Sequence, residues 1–392
     1  MDRHDIAIIG AGIVGLATAR ALLDRRPDLD VVVLDKESDV GTHQTGHNSG
    51  VVHSGLYYRP GSLKARLCVE GRRRVLDFCD ETGIPVGRHG KIVTATRTDQ
   101  LPALEELHRR AEANGLTGVE RLGAGGIRDH EPHAAGVGAL WVPETSVVDY
   151  GLVARELARP LQLVTDFRVD GIRSDTDGFT ITAGERAVRA AGLVNCAGLQ
   201  SDRVAALAGV RSDLRIIPFR GEYFALRDGA TRLVGGMIYP VPDPRFPFLG
   251  VHFTRRIDDS VEVGPNAVLA LGREHYRGTR PSPRDLAATI GWPGFWRIVG
   301  RYWRTGSEEL WHSARPSSYA RTAQALVPDL GPDDLIRAGA GVRAQAVARN
   351  GELVDDFALV EHDRAVHVLN APSPAATSSL AIGDHIAQRF LA

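Results

Sequence analysis

The N-terminal 35 residues alternate between apolar runs, a glycine-rich turn and a helical pattern. Residues 5–9 form a short apolar run, residues 10–15 are rich in glycine, and residues 16–26 repeat apolar positions at helical spacing. A second apolar run occupies residues 31–34. Short apolar runs bounded by turn residues are typical of buried strands, and a 3.6-residue period is typical of a helix. The order therefore predicts one βαβ unit at the beginning of the chain.

The same pattern of apolar runs, turn residues and helical periodicity continues to residue 196 and returns near the C-terminus. Apolar runs predict further strands at residues 161–165, 178–183 and 190–196, and helical patterns predict helices at 72–83 and 101–114. After residue 335 the chain becomes glycine-rich again, and its last helix is predicted over residues 379–390. A strand–turn–helix texture in several separated segments indicates a parallel sheet assembled from distant parts of the chain.

Residues 216–268 have a different pattern. Short alternating segments at 221–226, 248–254 and 260–264 are separated by Pro, Gly and Asp, and a tryptophan-containing helical pattern follows over 281–309. Period-2 alternation interrupted by turn residues predicts an antiparallel sheet with one exposed face. We therefore expect a second domain inserted into the first.

Composition narrows the class of protein. The 392 residues are 43% hydrophobic and 24% charged with a formal net charge of −1, so no global basic field is available to attract nucleic acid. No apolar run approaches the ~20 residues of a membrane span. The cysteines Cys68, Cys79 and Cys196 are odd in number and form no CxxC pair, which predicts reduced thiols. With a strand beginning so early, we expect no signal peptide and a cytoplasmic location, with peripheral contact at the inner face of the membrane as the alternative.

The glycine-rich turn carries a dinucleotide-binding pattern. Gly10, Gly12 and Gly15 follow G-x-G-x-x-G, directly after a predicted strand and before a predicted helix. The first glycine allows the tight turn, the second lets a pyrophosphate approach the backbone, and the third allows close helix–strand packing. Asp35 ends the second strand, where a carboxylate can accept hydrogen bonds from ribose hydroxyls. The pattern alone does not separate FAD from NAD, but its place so near the N-terminus and the lack of a second copy favour FAD.

Four stretches of sequence carry a resemblance to a known family. They read KESDVGTHQTGHNSGVVHSGLYYRPGSLKARLCVEG at 36–71, LVNCAGLQSDRVA at 193–205, IYPVPDPRFPFLGVHFTRRIDDSVEVGPNAVLA at 238–270 and NAPSPAATSSLAIG at 370–383. In these stretches the chain resembles the D-amino-acid-oxidase-like flavoproteins, and within them the L-2-hydroxyglutarate oxidases and dehydrogenases. Asp35-Lys36 stands where relatives more often have Glu-Lys, and we treat the two acids as equivalent.

The resemblance implies an α/β fold with FAD as the cofactor. A Rossmann-like FAD-binding domain would comprise residues 1–80, 145–215 and 335–392, and an inserted α+β substrate domain with an antiparallel sheet would comprise 81–144 and 216–334. Beside the three glycines and Asp35, the resemblance assigns FAD contacts to Lys36, Thr45, His47, Asn48, Ser49, Val169, Ala197, Gly198, Pro374, Ala375, Ala376, Thr377 and Ser378. Metal binding is not expected, because no cysteine or carboxylate in the sequence completes a set with His43, His47 and His53.

The chemistry of a 2-hydroxy acid then selects candidate catalytic residues. Oxidation needs a base for the hydroxyl proton, and histidine has a suitable ordinary pKa. His53 directly follows the flavin-lining loop and is our predicted base, with His47 as the alternative; His47 also falls where some flavoproteins of the superfamily attach the flavin covalently. Arg343 corresponds to the arginine that grips the substrate carboxylate, although Ala344 stands where relatives often have proline.

A dicarboxylate needs a second anchor. The sequence offers Arg315, Lys64 and Tyr239, with Tyr57, Tyr58, His252 and Arg255 as further candidates. The leading hypothesis is oxidation of L-2-hydroxyglutarate to 2-oxoglutarate, and the alternative is a related flavoenzyme acting on another 2-hydroxy or 2-amino acid. The electron acceptor is expected to be oxygen or a quinone.

Overall fold

The computed structural model describes residues 2–243, 250–276, 281–314 and 316–392, with the backbone alone for 304–314 and 316–318. The α-helices are α1 (Ile13–Arg25), α2 (Leu63–Thr82), α3 (Leu101–Ala113), α4 (Ala124–His130), α5 (Tyr150–Ala158), α6 (Ser201–Leu207), α7 (Pro283–Ile290), α8 (Pro293–Ala314), α9 (Pro316–Gln324) and α10 (Ser379–Leu391).

The strands are numbered in the same way. They are β1 (Arg3–Ile9), β2 (Val31–Leu34), β3 (Val51–Val52), β4 (Lys91–Ala95), β5 (Glu120–Gly123), β6 (Gly138–Val142), β7 (Ser146–Val147), β8 (Gln162–Val164), β9 (Gly171–Asp175), β10 (Gly178–Ala183), β11 (Arg186–Asn195), β12 (Leu214–Leu226), β13 (Met237–Pro240), β14 (His252–Arg255), β15 (Val261–Gly264), β16 (Val268–Leu269), β17 (Leu335–Ala348), β18 (Ala358–His362) and β19 (Ala365–Asn370).

The first sheet has eight strands in the part of the chain that the structure describes. Its centre is parallel in the order β19-β11-β1-β2-β8, and β18, β10 and β9 add antiparallel edges. Strands β1 and β2 are almost entirely buried, as expected for a parallel sheet covered on both faces. Helices α1, α5 and α10 pack together over one face, where they form the largest apolar cluster. This is the Rossmann-like sheet that the N-terminal pattern predicts.

The second sheet is mostly antiparallel. Its order is β16-β12-β15-β14-β13-β4-β6-β5, with β17 also paired to β12, and β13·β4 is the parallel pair within it. Its core contains Phe224, Phe253 and Tyr319, which α9 and the strands bury. The predicted α/β architecture with a second antiparallel sheet is confirmed.

Strand β17 lies in the second sheet, whereas the sequence predicts residues 335–392 in the FAD-binding domain. It pairs antiparallel with β12 from Leu214↔Ala348 to Leu226↔Leu335. Its sequence is rich in glycine and alanine, like the segments of the first domain. It nevertheless belongs to the second sheet, because it pairs with β12, which lies more than a hundred residues earlier in the chain. The chain re-enters the first sheet only at β18, and a domain boundary between β17 and β18 becomes our proposal.

Two helices differ from their predicted bounds for local reasons. Helix α2 begins nine residues before the pattern at 72–83, because the Ser62 hydroxyl accepts a hydrogen bond from Ala65 N at 3.2 Å and caps it. The helical segment at 281–309 is two helices, α7 and α8, separated at Gly291 and Trp292. Across the described part of the chain, no helix combines the length and the hydrophobicity needed to cross a bilayer.

Candidate active site

One cavity of about 760 Å³ joins the two sheets. The first domain contributes the glycine-rich turn and the loop that follows β2, and the second contributes side chains of β12, β13, β14 and β17. Because residues from both sheets line the same space, a cofactor held by the first sheet would meet a substrate held by the second.

The turn before α1 fits a dinucleotide pyrophosphate. Gly10 has φ +111°, and a Cβ there would lie 2.5 Å from the Cys196 carbonyl oxygen, so the turn requires glycine. Gly12 lines the cavity, and a Cβ added there would meet nothing nearer than the Thr45 hydroxyl at 3.6 Å. Gly12 is also the N-cap of α1 and has no side-chain cap, so the first turn of this helix borders the cavity with Ile13 N bound to the Thr45 hydroxyl at 3.0 Å. Gly15 packs against Gly10 and does not line the cavity.

Asp35 orders the adenosine side of this turn. Its carboxylate accepts hydrogen bonds from Ala11 N at 2.6 Å and from Glu37 N at 2.8 Å. A carboxylate offers about four lone-pair sites, so acceptor capacity remains for ribose hydroxyls. Phe167 N donates to the Asp35 carbonyl at 2.7 Å, which brings the segment containing Val169 beside the end of β2. Val169 packs against the apolar cluster of the first sheet and, like Gly10, Asp35 and Lys36, does not line the cavity itself.

The loop after β2 lines the cavity with Thr45, His47, Asn48 and Ser49. Thr45 accepts a hydrogen bond from Ile13 N at 3.0 Å, so it ties the loop to the start of α1. Asn48 donates to the Gln44 and Thr45 carbonyls at 3.1 and 2.6 Å and accepts from Gly50 N at 2.8 Å. Its amide therefore fixes the shape of the loop, a role that the resemblance does not give it.

His47 is held by an aromatic contact. Its ring stacks on Tyr276 with the centroids 4.0 Å apart. The loop also meets β17, because Gln44 Oε1 accepts a hydrogen bond from Ala344 N at 3.1 Å. Gln44 is a cavity residue that the sequence analysis does not single out, and only the position of β17 reveals its function.

The segment before α10 forms the opposite wall. Pro374, Ala375, Ala376 and Thr377 line the cavity, while Ser378 is fully buried behind them with no hydrogen-bond partner for its Oγ among the described residues. The Thr377 hydroxyl lies 3.1 Å from the Tyr150 hydroxyl and 3.2 Å from the Val51 carbonyl. This segment is therefore anchored to β3 and α5. From the second turn of the first sheet, Gly198 reaches the cavity, whereas Ala197 does not and donates to Asn195 Oδ1 at 3.1 Å.

Lys36 lies in a charged cluster rather than in the cavity. The carboxylates of Glu37 and Glu274 and the His43 ring are close enough to hold a metal ion, with ligand atoms within 4.8 Å of one another. The Lys36 ammonium contacts all three groups, at 2.5 Å from His43 Nε2 and 3.2 Å from Glu274. The hydrogen bond that it donates holds the pKa of the Glu37 carboxyl below its ordinary value. The cluster therefore ties the loop after β2 to the segment that carries Tyr276.

His53 lines the cavity between these walls. Its backbone N–H donates to the Thr377 hydroxyl at 3.1 Å and its carbonyl accepts from Cys68 Sγ at 3.4 Å. Its Nδ1 is buried without a hydrogen-bond partner within the described ranges. Burial, and then the positive charge of Lys91, lower the pKa of His53 to about 3. The imidazole is therefore neutral at physiological pH and able to accept a proton.

The candidate carboxylate anchors lie at different depths. Arg343 reaches into the cavity from β17, and the surrounding protein lowers the pKa of its guanidinium. Lys64 lines the cavity at its rim, where its ammonium donates to the Asp355 carboxylate at 2.9 Å and to the Asp355 carbonyl at 3.0 Å. Tyr239 is buried in β13, and its hydroxyl lies 3.4 Å from that of Thr254. Arg315 lies outside the described residues.

A second histidine shares this wall of the cavity. The His252 ring stacks on Tyr239 with centroids 3.9 Å apart, and its Nδ1 lies 2.8 Å from the Gly250 carbonyl. Burial lowers the pKa of His252 to about 4. Behind Tyr239 lies Lys91, a buried residue that the sequence analysis misses. Its signal is a lysine inside the apolar strand KIVTA, where a solvated side chain is not expected.

The fold and the site define a known class of enzyme. Residues 5–389 match the family model DAO, FAD dependent oxidoreductase, and the chain belongs to this family with FAD as its cofactor. The fold is similar to that of the L-alpha-glycerophosphate oxidase from Mycoplasma pneumoniae, with a TM-score of 0.80, 22% identity, and 100% of this chain and 95% of that chain covered. It is also similar to the glycine oxidase from Geobacillus kaustophilus, with a TM-score of 0.73, 19% identity, and coverage of 100% and 95%.

Curated relatives narrow the class further. The chain is 47% identical to the L-2-hydroxyglutarate dehydrogenase of Indibacter alkaliphilus, over 98% of each chain. It is 43% identical to the mitochondrial L-2-hydroxyglutarate dehydrogenase of Homo sapiens, over 98% of this chain and 89% of that one. The chain therefore belongs to the L-2-hydroxyglutarate dehydrogenase family, as its sequence predicts.

Proposed function

We propose that the protein oxidises L-2-hydroxyglutarate to 2-oxoglutarate. The observation that carries this proposal is a single cavity in which a neutral imidazole and the guanidinium of Arg343 share the space with the walls that fit FAD. Its relatives that are more than 40% identical over nearly the whole chain carry the name of this substrate.

The reaction removes two hydrogens from one carbon–oxygen unit. Bound FAD would supply the acceptor for the hydride that leaves C2 of the substrate. The hydroxyl proton must also leave, and His53 is our proposed acceptor because its imidazole is neutral and borders the cavity. The negative charge of a dicarboxylate would offset the cations that lower the pKa of His53. Substrate binding therefore makes the imidazole a stronger base when the proton is to be moved.

Arg343 is the proposed anchor for the carboxylate next to the hydroxyl group. A guanidinium can bind both oxygens of a carboxylate, which fixes the plane of the acid and hence which hydrogen faces the flavin. Lys64 lies at the rim, where Asp355 already binds its ammonium, so we propose that it attracts the anion at the entrance rather than holding it in place.

The acceptor that reoxidises the reduced flavin is a further part of the proposal. We propose that oxygen or a quinone accepts the electrons and that the protein acts in the cytoplasm or at the inner face of the membrane. Mixing the photoreduced protein with air-saturated buffer or with a soluble quinone, and following the return of flavin absorbance, separates the two acceptors.

A panel of acids tests the substrate. The purified holoenzyme is mixed without oxygen with L- and D-2-hydroxyglutarate, L-lactate, L-glutamate and sarcosine, and loss of flavin absorbance is followed. We expect L-2-hydroxyglutarate to bleach the flavin fastest. Faster bleaching by an amino acid would contradict the proposal.

A further inference from the structure

Lysine is rare in this chain. Of 47 Lys and Arg residues, three are lysines: Lys36, Lys64 and Lys91. Lys64 lines the cavity, Lys36 pairs with the loop that lines it, and Lys91 contacts two of its wall residues. A chain that almost always uses arginine thus has one lysine in the lining of the cavity and two that contact its loop or its wall residues.

Lys91 is the most deeply placed of the three. It begins β4 between β13 and β6, opposite Met237 and Val142, and 1% of its surface is exposed. Its Nζ lies 4.6 Å from the centre of the Tyr57 ring and 5.1 Å from that of Tyr239. Among the described residues, no carboxylate lies within ion-pair distance of this ammonium.

Other cations at the rim of the cavity already have acidic partners. Lys64 binds Asp355 at 2.9 Å, and Arg110 binds Glu106 at 3.1 Å. Both acids line the outer part of the same cavity. The two charges of each pair neutralise each other, so these pairs give the rim little net charge, whereas Lys91 has no acidic partner at ion-pair distance among the described residues.

A buried ammonium without a counter-ion is unfavourable unless a ligand supplies one. Burial lowers the pKa of Lys91 to about 7, and its charge in turn lowers the pKa of both His53 and His252. Both histidines and both tyrosine rings line the cavity, so the field of Lys91 extends into it. Arg343 acts on the same two histidines. A ligand beside these histidines is therefore exposed to two positive charges from different strands.

We propose that Lys91 is a positioning residue that selects dicarboxylates: its ammonium, held behind the Tyr57 and Tyr239 rings, attracts the distal carboxylate of a 2-hydroxy acid whose other carboxylate binds Arg343. This inference rests on the proposed function and specifies how the site distinguishes a dicarboxylate from a monocarboxylate. The rings keep water from Lys91 and leave its charge weakly screened, which makes the attraction strong at a distance.

Equilibrium binding tests the proposal without turnover. The oxidised holoenzyme is titrated with glutarate and with pentanoate, which have the same chain length and differ by one carboxylate, for the wild type, Lys91→Met and Lys91→Arg. In Lys91→Met we expect the Kd for glutarate to rise about 10- to 100-fold and that for pentanoate to change by less than about twofold. Lys91→Arg should restore most of the preference, because it restores the charge.

Reduction kinetics provide the second readout. For L-2-hydroxyglutarate, Lys91→Met should raise the KM by the same factor, while the limiting rate of flavin reduction falls by less than about threefold. Equal weakening of glutarate and pentanoate, or a loss confined to the limiting rate, would overturn the proposal. Flavin content and melting temperature show whether a variant is folded, and Lys91→Gln replaces Lys91→Met if it is not.

Failure of the proposed function has a different signature. In that case the wild-type flavin stays oxidised with L-2-hydroxyglutarate, whatever the ratio of glutarate to pentanoate affinity. If the wild type is reduced but Lys91→Met keeps its preference for glutarate, the role of Lys91 alone is wrong.

Discussion

In the proposed site, Arg343 binds a part of the substrate that does not change during the reaction. A carboxylate is present in the ground state and in the transition state, so losing its anchor weakens both equally. A hydrogen bond to a charged group is worth about 1.5–3 kcal/mol, so Arg343→Ala should raise the substrate Kd about 10- to 200-fold and leave the limiting rate of flavin reduction nearly unchanged. The substrate dependence of anaerobic flavin reduction gives both values.

Arg343→Lys is the matched control, because it keeps the charge and loses the two-pronged geometry. We expect it to fall between the wild type and Arg343→Ala. If Arg343→Ala binds substrate as tightly as the wild type, the carboxylate anchor lies elsewhere.

Replacing His53 should lower the rate of flavin reduction and leave substrate binding nearly unchanged, which is the opposite of the effect expected for Arg343→Ala. Loss of a general base costs typically ~100- to 10,000-fold, and it should appear in the limiting rate of flavin reduction of His53→Ala rather than in the Kd. Stopped-flow reduction at saturating substrate measures it, with His252→Ala as the comparison. A near wild-type rate in His53→Ala would remove this residue as the base and make His252 the next candidate, since both border the cavity.

The burial of Lys91 should make the stability of the folded protein depend on pH. The titratable groups that face it are Cys68, Tyr57, Tyr239, His53 and His252. Burial lowers the pKa of Lys91 in the folded state to about 7 from its ordinary value of 10.5. Between these two values the unfolded chain binds a proton that the folded chain does not, so stability rises with pH across this window and the full cost of the charge is present below it.

Lys91→Met removes that cost. In the absence of substrate the variant should therefore melt about 2–5 °C above the wild type at pH 7, with a smaller difference near pH 10. Thermal unfolding at the two pH values, with bound FAD held equal, measures the difference. A lower melting temperature at both pH values would mean that Lys91 stabilises the fold, and that its burial is structural.

The sequence identifies the residues whose neighbours are local and misses those whose neighbours are distant. His53 comes soon after the loop that follows β2, and both line the same cavity. Lys91 becomes a candidate only when Tyr57 and Tyr239, from a loop and from β13, are seen to cover it. Asn48 is a similar case, because the sequence shows a polar side chain but does not show that this side chain hydrogen-bonds the backbone of its own loop.

At the scale of elements, α2 and the segment before α10 meet at one glycine. A Cβ at Gly71 would lie 2.5 Å from Ser378 Cα and 2.8 Å from the Thr377 carbonyl, and both atoms are backbone. Overpacking of this kind costs about 1–3 kcal/mol, so Gly71→Ala should lower the free energy of unfolding by that amount and shift the Thr377 segment. We expect weaker FAD binding as a result, because the shifted segment lines the cavity.

Gly125→Ala is the control for this prediction. Gly125 lies in helix α4 with open space around the added Cβ, so alanine there should be neutral or stabilise by about 0.5–1 kcal/mol. Urea unfolding and FAD titration of both variants provide the comparison. Unchanged stability and FAD affinity in Gly71→Ala would show that the two elements can move apart at no cost.

Elements formed from neighbouring residues are the ones that the sequence predicts well. The βαβ unit of β1, α1 and β2 follows from apolar periodicity and one glycine pattern, since its contacts lie within a short span. Strand β17 is the counter-example, because its glycine-rich sequence has no property that selects β12 as its partner. Its placement matters for function, since it carries Arg343 into the cavity and binds Gln44 of the loop after β2.

For the whole molecule, the cavity depends on both sheets at once. The first sheet supplies the walls that fit FAD, and the second supplies the strands that carry Tyr239, His252 and Arg343. The sequence predicts two sheets because its pattern changes from strand–turn–helix units to short alternating segments. It does not predict which side chains of the two sheets meet in the cavity, because that depends on contacts between distant parts of the chain. The central claim is that these two halves together oxidise one hydroxy acid.

A single-turnover experiment tests that claim most directly. The oxidised holoenzyme is mixed without oxygen with one enantiomer of 2-hydroxyglutarate, and flavin reduction and 2-oxoglutarate formation are measured in the same sample. We expect full reduction by the L-enantiomer with one 2-oxoglutarate formed per FAD, and no reduction by the D-enantiomer. A flavin that stays oxidised with L-2-hydroxyglutarate while glutamate or sarcosine reduces it would show that the protein acts on a different substrate.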